Sequence, residues 1–376
     1  MKFTLKILSF LFLSFCIYIN AQKNIADSLM KKAYNAIYDN PENAIKIGKD
    51  LLKKDNDINT SIKVYMLLST ANIAKRNFDE SLKYILKAKE LSQKTNDAKN
   101  QASVLIAVAI QYQQMELFSK SLETLNEADT YLAKTPDSPE RYLENARSYA
   151  IRGMIYKSQS NSEIALEKFL IALQNFEKAP LIKTTSSNVS VVYYNIGYCY
   201  LNLNQIDNAQ KAFLQSVNYA RKNHAKSLEA FALKGMAEMY KQKHEYQTAV
   251  DLLQKAENLS KNTGDIVLNE GIYKEMSDNY LALRKQDLYQ LYNRKYFEMR
   301  FKRKENELTS INRVIDNHNK DTLAKNKEIK SYYIYLMIIS SAISLIIIGI
   351  FLYLISKIKK QNKKYQREIQ QIIRAS

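Results

Sequence analysis

The stretch YYNIGYCYLNLNQIDNAQKAFLQSV, residues 193–217, decides the fold of this chain. Apolar and small residues recur in it at helical spacing on both sides of a short polar segment, which predicts two α-helices packed as a pair. We expect Gly197 to let the two helices approach closely and Ala209 to occupy the matching hollow. A bulky residue at Gly197 would then overpack the contact by about 1–3 kcal/mol. Aromatic residues such as Phe213 are expected to fill the space between neighbouring pairs.

The same arrangement recurs at about 40 to 44 residues, a period at which helical pairs stack into solenoids. The copies share a small and an aromatic residue on the first helix, and a small residue followed by an aromatic one on the second. The positions predicted to pack the repeats are Gly153, Tyr156, Ala165, Phe169, Gly197, Tyr200, Ala209, Phe213, Tyr240 and Ala249. The outermost copies depart from the pattern, with Gly48 in place of an aromatic residue and Tyr289 in place of a small one. Atypical end repeats are what a capped solenoid predicts.

The composition favours helices throughout. The 376 residues include seven glycines, four prolines and no tryptophan, which are few chain breakers for a fold of strands and turns. The net charge of +18 rises mainly after Arg284 and again after Lys357, and elsewhere lysines lie among acidic residues. We therefore expect a solvated lysine-rich surface and no direct binding of nucleic acid by this chain.

The repeats resemble those of the tetratricopeptide-repeat (TPR) family over roughly residues 26–299. The resemblance implies an all-α fold, an α-solenoid of about five to seven TPR-like helical pairs. It also implies that the chain binds proteins or peptides, since such repeats seldom perform chemistry. The period exceeds the roughly 34 residues usual for the family, and in this it resembles the extended repeats of regulatory peptide receptors.

Residues 1–21 have the features of a signal peptide. Two lysines precede an apolar run at residues 7–19, and cleavage is expected after Ala21. A lipoprotein signal that ends at Cys16 is the alternative, and the bulky Phe15 before this cysteine disfavours it.

Residues 331–356 carry no charged side chain and are long enough for a transmembrane helix. Tyrosines at both ends are typical of the membrane interface. Residues 357–376 form a basic tail, so the positive-inside rule puts the C-terminus in the cytoplasm. With the signal peptide, this predicts a single-pass protein of the bacterial inner membrane with its repeats in the periplasm.

Residues 300–330 separate the predicted solenoid, residues 22–299, from the transmembrane helix. They are polar and helix-prone, and Leu308, Ile311 and Ile315 have heptad-like spacing. This predicts a helical stalk or short coiled coil. The stalk is a candidate homodimer interface, although three apolar positions are few to sustain one.

A concave groove is predicted along the first helices of the repeats. Its candidate peptide-binding residues are Arg147, Met154, Lys157, Tyr194, Tyr198, Asn202, Lys234, Glu238 and Lys241. Aromatic side chains beside lysines suit a peptide with acidic and apolar groups. The alternative is that these residues are solvated on a face that binds nothing.

The motifs of catalysis and of metal or cofactor binding are missing from the sequence. None of the three histidines has a metal-ligand partner one helical turn away. There is no glycine-rich phosphate loop and no nucleophile elbow. Cys199 is expected to be a buried thiol on a repeat helix. We therefore expect no enzymatic activity, no metal and no cofactor.

Exported TPR repeats followed by one transmembrane helix resemble the input half of bacterial one-piece signal transducers. In these, the cytoplasmic part is a helix-turn-helix regulator or a histidine kinase, and residues 357–374 resemble the helix that enters it. The sequence ends at Ser376 without such a domain, so we expect a receptor half whose output lies beyond it or in a separate partner. The alternative is an envelope scaffold or assembly protein with no signalling output.

Overall fold

A computed structural model describes residues 27–37, 40–54, 57–179 and 183–375. All regular secondary structure in these residues is α-helical, which confirms the predicted all-α class. The predicted signal peptide lies outside the described residues.

The helices follow one another in pairs, of which α1/α2 is the first and α13 with the start of α14 is the last. From α3/α4 onward a short turn joins the two members of each pair. The helices are α1 (residues 27–36), α2 (Pro41–Leu52), α3 (Ile58–Ala74), α4 (Phe78–Gln93), α5 (Ala98–Gln114), α6 (Phe118–Leu132), α7 (Pro139–Ser158), α8 (Ser162–Glu177), α9 (Lys183–Asn202), α10 (Ile206–Lys222), α11 (Lys226–Gln242), α12 (Tyr246–Ser260), α13 (Ile266–Ala282) and α14 (Gln286–Ala375).

Short polar side chains begin several of the helices. Asp57, Asp97, Asn161 and Asp265 accept hydrogen bonds from backbone N–H groups in the first turns of α3, α5, α8 and α13. These bonds satisfy donors that the helix itself leaves unpaired. Pro139 stands in the first turn of α7, where its missing N–H costs no hydrogen bond. The caps therefore fix where the helices start.

The turn inside a pair uses a residue in the left-handed conformation. This residue is Arg76, Glu116, Ser160, Asn204, His244 or Arg284, with φ between 59° and 61°. The next N–H then donates to a carbonyl in the last turn of the first helix, as from Asn161 N to Tyr156 O at 2.9 Å. This is the Schellman arrangement, in which glycine is the usual residue. Because none of these six is glycine, each turn holds some conformational strain.

The first helices of the pairs form one continuous layer. Contacts run from α3 to α5 and on through α7, α9 and α11 to α13. Among the described helices, the second members of neighbouring pairs make no comparable contact with one another. The first helices therefore line the narrower, concave side of the repeats, and the second helices lie outside.

Glycines of the first helices face aromatic rings of the second. A Cβ added at Gly197 would lie 2.5 Å from Phe213 Cε1, and one at Gly153 would lie 2.6 Å from Phe169 Cε1. Gly235 of the next pair faces the same Phe213 ring. The hollow that we expected alanine to occupy is thus filled by the aromatic ring, which is fully buried between glycines of two pairs.

The start of α14 returns to the first repeats. Glu307 forms an ion pair with Arg76 in the α3–α4 turn. Ser310 donates to Asp79 Oδ1 at 2.9 Å and accepts from the Asp79 N–H at 2.8 Å. The first compact unit of the chain accordingly extends to Asn312, whereas the sequence suggested that the solenoid ends near residue 299.

The loop before α13 lies against α2. A Cβ added at Gly264 would lie 2.9 Å from Pro41 Cδ. The first two pairs of the repeats are thus in contact with the loop before α13 and with α14.

Arg313–Ser376 is the second compact unit. The helix α14 continues through it to Ala375 without a break. By length and composition, its segment Asn326–Lys364 could cross a membrane: the apolar 18-residue window within it has a mean hydropathy of 2.7 and is not buried in the structure.

Candidate peptide-binding surface

The residues predicted to line the groove lie on α7, α9 and α11, three neighbours in the concave layer. Six of them lie with Asn195 and Glu275 in two adjoining sets of contacts, which together we call the inner-face network. The first set contains Lys157, Tyr194, Asn195, Tyr198, Lys234 and Glu238, and the second joins Lys241 to Glu275. The network crosses four first helices and reaches α13 through Glu275.

Tyr194 and Tyr198 are one turn apart on α9 and meet edge to face, with ring centroids 4.9 Å apart. Both rings also pack edge to face on Phe213, at 6.4 and 5.3 Å. Phe213 belongs to the core, so the two tyrosines are held in place by the same residue that packs the helix pair. The two rings therefore lie on one face of α9.

Tyr198 joins α9 to α11. Its hydroxyl donates to Glu238 Oε1 at 2.5 Å and accepts a hydrogen bond from Lys234 Nζ at 2.8 Å. Lys234 is also ion-paired with Glu238, one turn further along α11. Burial opposes the charge on Lys234, but Tyr194 and Glu238 outweigh it and raise the pKa of this lysine. Burial, with Tyr194 and Glu238 nearby, raises the pKa of Tyr198 well above its usual value, so the phenol stays protonated.

Lys241 joins α11 to α13. Its Nζ lies 2.5 Å from Glu275 Oε2 and 3.4 Å from Asp278 Oδ2. Burial and the neighbouring negative charge of Glu238 raise the pKa of Glu275, and the ammonium of Lys241 partly offsets them. Lys234 and Lys241 are therefore both neutralised by carboxylates of the same surface.

Lys157 differs from the other two lysines. Its Nζ donates to Asn195 Oδ1 at 2.5 Å and lies 5.7 and 5.3 Å from the ring centroids of Tyr194 and Tyr198. In the described part of the chain, no carboxylate forms an ion pair with it. Burial, together with the positive charge of Lys234, lowers its pKa to about 8. This ammonium group can donate a further hydrogen bond to an anionic or carbonyl oxygen.

The remaining predicted residues stand apart from the inner-face network. Arg147 pairs with Glu144 at 2.7 Å, one turn away on α7. Met154 packs against the hydrophobic core between α7 and α10. Asn202 is exposed and donates to Ser162 Oγ at 3.2 Å. The structure therefore does not join these three to the tyrosine and lysine cluster.

Sequence reasoning missed Asn195 and Glu275. Tyr198 and Glu238 are 40 positions apart, and the same spacing applied again reaches Asp278 on α13. Extending the repeat frame by one helix would thus have pointed to the acidic residues of α13. No sequence signal marked Asn195, because its role depends on where the Lys157 side chain ends.

The buried thiol of Cys199 lies on α9, the helix that carries Tyr194 and Tyr198. Burial raises its pKa to about 11, so the thiolate is disfavoured at neutral pH. The structure gives this residue a packing role.

Two family comparisons agree with the geometry of the pairs. Sequence profiles described as tetratricopeptide repeat match residues 188–262 and residues 62–95. The chain contains tetratricopeptide repeats. The first match spans α9 to α12 and so includes most of the inner-face network, and the second spans α3 and α4.

Solved structures with the same arrangement of helices include two peptide complexes. NprR in complex with its cognate peptide NprX is 14% identical, covers 81% of this chain and 93% of its own, and has a TM-score of 0.54. The Rap conjugation gene regulator of the plasmid pLS20 in complex with the Phr* peptide is 14% identical, covers 72% of this chain and 71% of its own, and has a TM-score of 0.55. No curated protein matches the chain in sequence. At this identity the two structures establish the shared TPR fold.

Proposed function

We propose that the TPR repeats bind a protein or peptide segment on the concave layer formed by α7, α9, α11 and α13, and that the chain acts by binding, without catalysis. The observation that carries the proposal is Lys157. It is a half-buried cation without a carboxylate partner in the described part of the chain, next to two tyrosine rings. An oxygen supplied by a partner would stabilise its charge, and the tyrosines would offer apolar contact.

The balance of charges on this surface limits which kinds of peptide can bind there. Lys234 and Lys241 are already paired with Glu238 and Glu275, so a strongly acidic peptide would meet two carboxylates as well as three lysines. We therefore propose a segment that places one carboxylate or backbone carbonyl on Lys157 and apolar groups near Tyr194. The peptide complexes of the two structurally similar regulators support a peptide as the partner, as an analogy of fold.

We also propose that residues 331–356 anchor the chain in the bacterial inner membrane, with the TPR repeats in the periplasm and the tail in the cytoplasm. The exposed apolar helix and the lysines that follow it support this topology. The chain would then be the extracytoplasmic receptor part of a transmembrane regulator.

A photo-crosslinking amino acid at Asn202 tests the binding surface in intact cells. Asn202 is exposed at the end of α9, one turn beyond Tyr198, and Lys211 on the outer helix α10 is the matched control position. We expect a discrete crosslinked product from position 202 only, and we expect Lys157→Met to abolish it. Equal products from both positions, or a product unaffected by Lys157→Met, would place the binding surface elsewhere.

Protease added to cells with a permeabilised outer membrane tests the topology. The TPR repeats should be digested, and a fragment from residue 334 to residue 376 should be protected. Digestion of the tail with the repeats intact would reverse the proposed orientation.

A further inference from the structure

The end of α14 carries an apolar seam that nothing in the second unit covers. Ile355, Ile358 and Ile369 are 45%, 55% and 56% exposed. With Asn362 they are spaced three, four and seven residues apart, which is the a/d spacing of a heptad repeat, and Tyr365 occupies the intermediate position in the sequence. On a helix these positions lie along one narrow stripe.

The charged residues of this segment avoid the seam. Its basic residues are Lys357, Lys359, Lys360, Lys363, Lys364 and Arg367. In the register set by Ile358 they fall at positions b, c, e and f, and none falls at a or d. A seam restricted to a and d is typical of a coiled coil, whereas a helix lying on a lipid surface presents a broader apolar face.

The direction of the helix after the apolar segment also argues against a position on the membrane surface. It runs from the apolar segment to Ala375 without a break, and a helix lying in the interface would need a kink after the span. The seam therefore continues in the direction of the span.

The same register continues backward into the apolar segment. Counting in heptads from Ile355 reaches Ser341 at a and Ser344 at d. Their hydroxyls donate to Met337 O at 2.8 Å and to Ser340 O at 2.9 Å in their own helix. They thus need no outside partner and leave little side-chain volume on this face. Small residues of this kind let two transmembrane helices approach closely.

We propose that this seam, from Ser341 to Ile369, pairs in parallel with the same seam of a second copy of the chain. Two observations select a second copy as the occupant. Asn362 is the single polar residue among the apolar positions of the tail, and one asparagine at an a position specifies a parallel pair in register, amide against amide. The g positions bring no like charges together, since Gln361 would face Gln366 of the other copy and Glu368 would fall opposite the uncharged position 373.

The pairing rests on the proposed membrane anchor for its parallel orientation and for the high effective concentration that a short seam needs. It differs from the dimer expected through residues 300–330. There Ser310 is fully buried and contacts Asp79 of its own chain, so part of the expected stalk surface is already occupied.

Cysteine crosslinking of the full-length chain in native membrane vesicles tests the seam. The background is Cys16→Ser, Cys199→Ser, and single cysteines replace Ile355, Ile358, Asn362 and Ile369 in turn. The matched controls replace Lys357, Lys360, Lys363 and Lys364. With a mild oxidant we expect disulfide-linked dimers from the seam positions at least about tenfold more abundant than from the controls, since a Cβ-to-Cβ separation near 4 Å is required.

Two further variants make the outcome decisive. Ile358→Asp should abolish the dimer formed through Asn362→Cys, and Lys360→Asp should leave it unchanged. Uniform crosslinking at all positions, crosslinking from the lysine face, or no dimer at any position would overturn the proposal. Extraction of the same vesicles at alkaline pH reports the anchor separately: a chain that is washed off refutes the membrane span, whatever the crosslinking pattern shows.

Discussion

Glu307 on α14 pairs with Arg76 in the α3–α4 turn, 231 positions earlier in the chain, with 2.5 Å between Glu307 Oε1 and Arg76 Nη2. The other carboxylate oxygen of Glu307 lies 3.0 Å from Arg303 Nη1 on its own helix. One half-buried carboxylate thus holds two guanidinium groups and ties the end of the TPR repeats to their beginning. Arg76 is also one of the residues held at positive φ, so the pair helps to fix a strained turn.

Removing the charge of Glu307 should loosen this connection. Glu307→Gln leaves two half-buried arginines without their shared carboxylate, and we expect the free energy of unfolding to fall by roughly 1–3 kcal/mol. Urea denaturation followed by circular dichroism measures it. Glu305→Gln, at an exposed position two residues away, should change stability by less than about 0.5 kcal/mol. Similar losses from both variants would show that the Arg76 contact contributes nothing specific.

Gly197→Leu should destabilise the repeats far more than Lys211→Leu. Even a single methyl group at Gly197 would lie 2.5 Å from the buried Phe213 ring, and overpacking of a full core typically costs about 1–3 kcal/mol. Lys211 is exposed on α10, where a leucine meets solvent. Melting temperatures of the two variants make the comparison, and equal values would contradict the packing described for this pair.

Substitution by glycine should increase the stability of the chain at Ser160 and decrease it at Ser158. Ser160 has φ of 60° in the α7–α8 turn, so Ser160→Gly relieves strain, and we expect a gain of about 0.5–1 kcal/mol. Ser158 is the last residue of α7, where glycine loses more conformational freedom on folding and should cost about 0.5–1 kcal/mol. Both side chains are exposed, so packing does not obscure the comparison. Chemical denaturation of the two variants should give shifts in opposite directions.

Lys157 should make stability depend on pH in the alkaline range. Its pKa is about 8 in the folded chain against 10.5 for an ordinary lysine, so between these values the unfolded state binds more protons. Stability of the parent relative to Lys157→Met should therefore rise as pH increases from 8 to 10.5. The penalty for burying the charged ammonium is fully present below pH 8. The groups that face Lys157 are Asn195, Tyr194 and Tyr198, and Cys199, Lys234 and Glu238 also act on its charge.

Urea midpoints of the parent and of Lys157→Met at pH 7.5 and pH 9.5 measure this effect. Lys211→Met serves as the control and should show no pH-dependent difference from the parent, because Lys211 is exposed. A constant difference between the parent and Lys157→Met at both pH values would mean that the ammonium of Lys157 is well hydrated in the folded chain.

Helix content, the pairing of helices and the repeat frame could all be predicted from residues such as Gly197, Phe213 and Tyr240. They follow from local geometry, because the spacing of apolar and small residues along a helix determines which of its faces is buried. The placement of Tyr194 and Tyr198 on one face follows for the same reason. The long charge-free run of residues 331–356 is likewise a property of the sequence.

The partners of the charged residues depended on the tertiary structure. Lys157 meets Asn195 and no carboxylate, Lys241 meets Glu275 of the following repeat, and Glu307 meets Arg76. Each contact depends on the rotation and rise between successive pairs, and small differences in these accumulate along a solenoid. The accumulated rotation and rise cannot be predicted from the period of the repeat. Helical repeats and an apolar helix of membrane length therefore follow from the sequence alone. Which lysine lacks a carboxylate partner follows from the stacking of the pairs, because it depends on distances between side chains of different helices.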